Sequence, residues 1–149
     1  MTTAPIYTAS DIAKRIKRPK EPLGAAVARF KNWAKSGLIK QVGARNPGTG
    51  RKKRYAESAL AKAFLLQVLT DALGAPAARV DDLADYIIEH ARDGEDDKLF
   101  VLGKKINSGR YYFSFLPPSE LLPYMADPEV PIHVVIKMDD LWSMLGIET

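Results

Sequence analysis

Proline and glycine punctuate this chain at the places that bound its helices and strands. Arg18-Pro19 and Glu21-Pro22 end any helix begun near Thr8, because proline removes a backbone donor and restricts the residue before it. Gly37 suits the left-handed position that follows a helix end. The eight residues 43–50 are dense in turn formers, Gly74-Ala75-Pro76 closes a helix, and Pro117-Pro118 stops a strand.

Hydrophobic spacing fills the intervals. Thr8 and Asp11 have the spacing of a capping box, and Ile12 and Ile16 share one face of the short helix it starts. A second helix begins near Pro22. It has a buried stripe of Leu23, Val27, Phe30 and Ala34 with Trp33 at its edge, and an opposite face of Ala25, Ala28, Arg29, Asn32 and Lys35. Residues 38–42 and 51–55 read as two strands of a long-looped β-hairpin. Residues 56–73 form a third helix, with Leu60, Phe64 and Val68 on one diagonal and Leu65, Leu69 and Leu73 on the next, and 80–92 form a fourth.

The remainder reads as strands 98–103, 110–116 and 131–138, a short helix through 119–125 capped by Ser119, and a last helix after Asp139. The expected class is α+β: a domain at 1–75 and a small helix-plus-antiparallel-sheet domain at 76–149.

Charge divides the chain near residue 63, short of that boundary. Residues 1–63 hold 15 Lys/Arg against 3 Asp/Glu, a net of +12, and the rest hold 7 against 15, a net of −8. Arg51 to Arg54 are four consecutive cations. An asymmetry of this size suggests a polyanion partner for the first half; the alternative is two halves that attract each other.

At 46% hydrophobic and 27% charged, the 149 residues have the balance of a globular protein, with no apolar run of membrane-spanning length. The N-terminal stretch lacks the order of a secretory signal. The expected location is cytoplasmic and nucleoid-associated. Zero cysteines exclude disulfides and thiolate metal sites.

No nucleophile–base or acid–base pair is discernible, so an enzyme is not expected, nor any cofactor. His90 beside Glu89 and Asp93 reads as surface chemistry rather than a metal site, and His133 as a core or edge histidine. Asn46 to Gly50 lacks the Lys-Ser/Thr and helix of a phosphate loop. In Tyr111 to Phe115, alternation puts Tyr111, Phe113 and Phe115 on one face and Tyr112 and Ser114 on the other. That face either packs under the last helix or forms a dimer interface or ligand pocket.

The order helix, turn, helix, hairpin, helix carries a family resemblance. Tyr7-Thr8, Asp11 to Arg15, Gly37-Leu38-Ile39 and above all Lys53-Arg54-Tyr55-Ala56-Glu57-Ser58-Ala59-Leu60 resemble the winged helix-turn-helix DNA-binding domain of MerR-type regulators, over residues 7–73 only. The resemblance implies a second helix in the major groove and a wing on the adjacent backbone. It implies phosphate contacts at Lys31, Arg54 and Tyr55, and it aligns Trp33 with a family tyrosine. In two respects the sequence departs from the family. The Gly-Leu-Ile close comes about seven residues late, nearly two helical turns, so the face is preserved. Pro76 also stands where the family begins its long dimerisation helix.

Independently of the resemblance, Ala25 and Ala28 permit close approach to base edges, and Arg29 and Asn32 carry the donors that read guanine and adenine. Wing cations neutralise phosphates, which supply affinity but little sequence information. The expected DNA-contacting set is Arg18, Lys20, Ala25, Arg29, Lys31, Asn32, Lys35, Arg45, Arg51, Lys52, Lys53, Arg54 and Tyr55. The expected function is a sequence-specific, homodimeric transcription regulator of double-stranded DNA, a repressor in preference to an activator. Alternatives are a phage- or plasmid-type architectural factor and a protein-interaction adaptor with a basic docking domain.

Overall fold

A computed structural model describes residues 6–43, 53–92, 99–105, 108 and 110–138, with the side chains of 90–92, 111 and 132 left aside. The chain is α+β and divides into two compact units, Met1–Ile88 and Glu89–Thr149. The expected helix after Asp139 lies outside the described residues.

The first unit begins with strand β1, Ile6–Tyr7, and helix α1, Ala9–Ile16. The capping box forms as the sequence dictates. The Thr8 N–H donates to Asp11 Oδ2 at 2.9 Å, and the Asp11 N–H donates to Thr8 Oγ1 at 3.2 Å. The Thr8 backbone N–H, and after it the Thr8 side chain, hold the Asp11 carboxyl below the usual carboxylate range. After the proline turn, α2 spans Leu23–Lys35 and Gly37 adopts φ +83°, the left-handed conformation expected past a helix end.

The buried side of α2 centres on Ala26, Phe30 and Trp33, with Leu23, Val27 and Ala34 half-buried beside it, so the stripe is rotated from the one expected. The anticipated hairpin is also different. Residues 38–41 are not a strand, and among the described residues of the expected hairpin the one bridge joins Val42 to Arg54, the Val42 N–H donating to the Arg54 carbonyl at 2.8 Å. Strand β2, Tyr55–Ala56, instead pairs antiparallel with β1, with Tyr7 opposite Tyr55. Two-residue strands carry no readable periodicity, and the pairing is fixed by packing: Tyr55 is fully buried, edge-on to Phe30 at 4.8 Å between ring centroids.

Helix α3, Glu57–Leu73, is the axis of this unit. Ala59 to Ala63, Leu65 to Gln67 and Leu69 are buried, so the helix is enclosed on nearly every side, and Gly74 ends it at φ +64°. Helix α4, Ala77–Arg92, buries Val80, Ala84 and Ile87. The buried Lys62 ammonium bridges Asp81 at 2.5 Å and Asp85 at 2.6 Å, binding α4 to α3. The boundary between the compact units falls past Ile88, whereas the sequence expectation places a boundary after residue 75.

The second unit is a three-stranded antiparallel sheet ordered β4-β3-β5, formed by β3 (Leu99–Lys104), β4 (Tyr111–Leu116) and β5 (Ile132–Lys137). Between β4 and β5 lie a single 3-10 turn, Pro118–Glu120, and the short helix α5, Leu121–Met125. Ser119, expected as the cap, lies inside the 3-10 turn, and the residue that precedes α5 is Glu120, which makes no side-chain cap bond. Central β3 buries both faces, with Phe100 and Leu102 on one and Val101 on the other. The register puts Phe115 opposite Phe100 and Phe113 opposite Leu102, so the expected alternation along β4 holds.

Candidate nucleic-acid interface

The exposed residues of α2 form one strip: Gly24, Ala25, Ala28, Lys31, Asn32 and Lys35. It carries two cations, one carboxamide and otherwise only hydrogen or methyl side chains. Beside it opens a groove of about 1080 Å³. Val27, Lys31, Ala34 and Lys35 of α2 form one wall, Thr8, Ala9 and Ser10 at the start of α1 another, and Ile39 to Gln41 with Lys53 the third. Four lysines, Lys31, Lys35, Lys40 and Lys53, line this groove, and no described lining residue is acidic.

Each element reaches the groove for a local reason. The α1 start is fixed there by the capping box. Gly37 turns the chain back so that Lys40 and Gln41 pass alongside α2. The Val42–Arg54 bridge returns Lys53 to the same place. Lys40 is not in the expected contact set, because a strand over 38–42 gives no reason to single it out. The reversal at Gly37 was the signal that could have found it.

The expected contact residues divide sharply. Ala25, Lys31, Asn32, Lys35, Lys53 and Arg54 are exposed on or near this surface, and Lys20 is exposed at the α1–α2 turn with φ +65°. Arg45, Arg51 and Lys52 lie outside the described residues.

Three others are engaged elsewhere. Arg29 is only 17% exposed in its side chain. Its Nη1 and Nη2 donate to the two oxygens of Glu21 at 2.6 and 3.0 Å, and its guanidinium lies over the Trp33 ring at 5.9 Å. Arg29 is thereby taken off the open face on which the sequence put it. Arg18 donates from Nη2 to Asp71 Oδ1 at 2.7 Å and from Nε to Oδ2 at 3.3 Å, joining the α1–α2 turn to α3. Tyr55 forms part of the groove floor, but at 1% exposed it is a core residue, and burial pushes its phenol up.

These pairs set the electrostatics. The hydrogen bond from Arg29 holds the Glu21 carboxyl down to about 2. Asp71, accepting from Arg18 and from Gln67 Nε2 at 2.6 Å, is also lowered. Burial works to lower Lys62, but its bonds to Asp81 and Asp85 outweigh it and hold the ammonium above its ordinary value. Arg18, Arg29 and Lys62 thus pair with Glu21, Asp71, Asp81 and Asp85, while the four groove lysines form no ion pair among the described residues.

The described residues hold one cluster of metal-ligand type, Asp81, Asp82 and Asp85, with oxygens within 4.8 Å of one another. The Lys62 ammonium already serves as counter-ion to two of them. In the second unit, Lys105, Ser108, Arg110, Tyr112 and Glu129 line a hollow of about 340 Å³, with Lys105 paired to Glu129 at 3.0 Å. His133 sits in that unit's sheet with its ring 6.0 Å from Tyr124. No described helix is long and apolar enough to cross a membrane. The chain matches no protein-family model, and no curated protein matches it.

Proposed function

We propose that this protein is a sequence-specific duplex-DNA-binding transcription regulator whose first unit works as a MerR-like winged helix-turn-helix. The observation that carries the reading is the exposed, small-residue strip of α2 bordering a groove that holds four lysines and no described carboxylate. A helix with methyl and hydrogen side chains on its open face can approach base edges in the major groove. The groove beside it has the charge to take the sugar–phosphate strand that flanks that groove, with Lys53 and Arg54 supplying the wing side.

A single module of this size reads few base pairs, so the regulator is expected to act as a homodimer on a two-fold site. The second unit supports this role: among the described residues β4 is an edge strand, and its Tyr112 and Phe113 are 41% and 42% exposed.

Fluorescence anisotropy with the full chain and a labelled duplex, titrated with salt, tests the reading. Binding that weakens steeply with salt and is abolished by reversing Lys35 and Lys40 to glutamate is expected. Binding that is absent at low salt, or indifferent to both, overturns it. A pull-down partner that unlabelled duplex fails to compete away would point to the adaptor alternative.

A further inference from the structure

The exposed side of α2 resolves into two rows. Val27, Lys31, Ala34 and Lys35 face the groove. Ala25, Ala28 and Asn32 are exposed and take no part in lining it, and their spacing of three and four residues places them on one line along the helix. If the groove row meets a phosphate strand, the outer row is the part of α2 that meets the base edges.

Chemistry then narrows what that row can read. Arg29, the residue best suited to guanine, is held on Glu21 by two hydrogen bonds. Lys31 and Lys35 stand with Lys40 and Lys53 in the cationic groove. Asn32 is the one residue of the outer row whose side chain both donates and accepts, and its carboxamide has no hydrogen-bond partner among the described residues. A carboxamide matches the N6 donor and N7 acceptor of adenine, and an alanine methyl matches the C5 methyl of thymine.

Resting on the DNA-binding reading above, we infer that α2 selects an A·T pair at the step facing Asn32, with thymine methyl groups lying against Ala25 and Ala28. Asn32 is the specificity-determining residue, and Arg29 is a positioning residue that holds the helix and reads nothing.

Selection of the full-length protein on a randomised duplex pool, followed by anisotropy on the selected duplex, tests this. The selected site should contain an invariant A·T position. N32A should lose roughly 5- to 150-fold in affinity there and accept any base at that position, while K40A weakens all duplexes alike. With the unaltered protein, 7-deazaadenine at that position should reproduce much of the N32A loss, and uracil for the contacted thymine should cost about 3- to 5-fold.

Selected sites with a fixed G·C and no fixed A·T would overturn the inference, as would N32A weakening selected and random duplexes equally. Either result leaves the DNA-binding reading standing. Absence of salt-dependent duplex binding overturns both.

Discussion

Arg29 and Glu21 form a two-point ion pair in which both terminal guanidinium nitrogens meet the two carboxylate oxygens, at 2.6 and 3.0 Å. Glu21 belongs to the turn before α2 and Arg29 to its middle, so the pair fastens the helix to its own entry. The Glu21 carboxyl also accepts the Arg18 backbone N–H at 3.2 Å, and Arg18 in turn reaches Asp71 on α3. One carboxylate therefore links the turn, α2 and, through Arg18, α3.

E21Q and R29A should both loosen α2 without moving base preference. Each is expected to lower the melting temperature, and a double-mutant cycle should show them coupled, because they act through the same contact. Thermal melts give the first readout, and binding-site selection on R29A gives the second. A change of preferred base in R29A would show that the arginine leaves Glu21 to read DNA.

The same pair gives a pH dependence with a definite sign. Glu21 is lowered from about 4.5 to about 2 by folding, so its stabilising contribution is complete above pH 4.5 and is lost as pH falls toward 2. Carbon-13 NMR of the Glu21 carboxyl should show no titration between pH 7 and 4. A midpoint near 4.5 would mean that the pair does not persist in solution.

Four groove lysines imply a countable salt effect. If Lys31, Lys35, Lys40 and Lys53 each neutralise one phosphate, log affinity should fall with log salt at a slope of about −3.6, and each single alanine variant should flatten it by about 0.9. Arg54 and the other wing cations would steepen the slope, but the decrement per variant is unaffected. R18A, whose charge is spent on Asp71, should leave the slope unchanged.

Lys62 joins α3 to α4 through two carboxylates while itself only 9% exposed in its side chain. K62A leaves Asp81 and Asp85 facing each other without a cation and should cost about 2 kcal/mol, less than a fully buried pair because Asp85 remains in water. K62M, which fills the space without the buried charge, should cost less. For the same reason a fragment ending at residue 75, lacking both aspartates, should melt well below one ending at 92, as followed by circular dichroism.

In the second unit, Gly103 allows His133 and Val130 to lie against β3. A Cβ on Gly103 would overlap Val130 Cγ1 and sit 3.3 Å from His133 Cδ2. Val130 is buried and has nowhere to retreat. G103A should cost about 1–3 kcal/mol by overpacking. A melt of G103A that coincides with the wild type would show that the Val130 segment is free to move.

The sequence by itself determined the local features whose causes lie within a few residues. The capping box at Thr8 and Asp11, the ends of α2 and α3 at Gly37 and Gly74, and the alternation along β4 were all legible in this way. The charge division was legible too, and with it the basic half to which the groove belongs. What only tertiary structure decided was which charges are free. Arg18 and Asp71 are 53 residues apart, and Lys62 and Asp85 are 23 apart. No periodicity links such partners, because an ion pair of that kind forms only when packed helices bring the side chains together. The pairing of Tyr55 with Tyr7 is of the same sort: two strands too short to show a pattern are held by the burial of one aromatic ring. Arg29 and Asn32 are both polar residues of one helix, equal candidates by spacing. Folding separated them by placing the carboxylate of Glu21 beside one and, among the described residues, no hydrogen-bond partner beside the other.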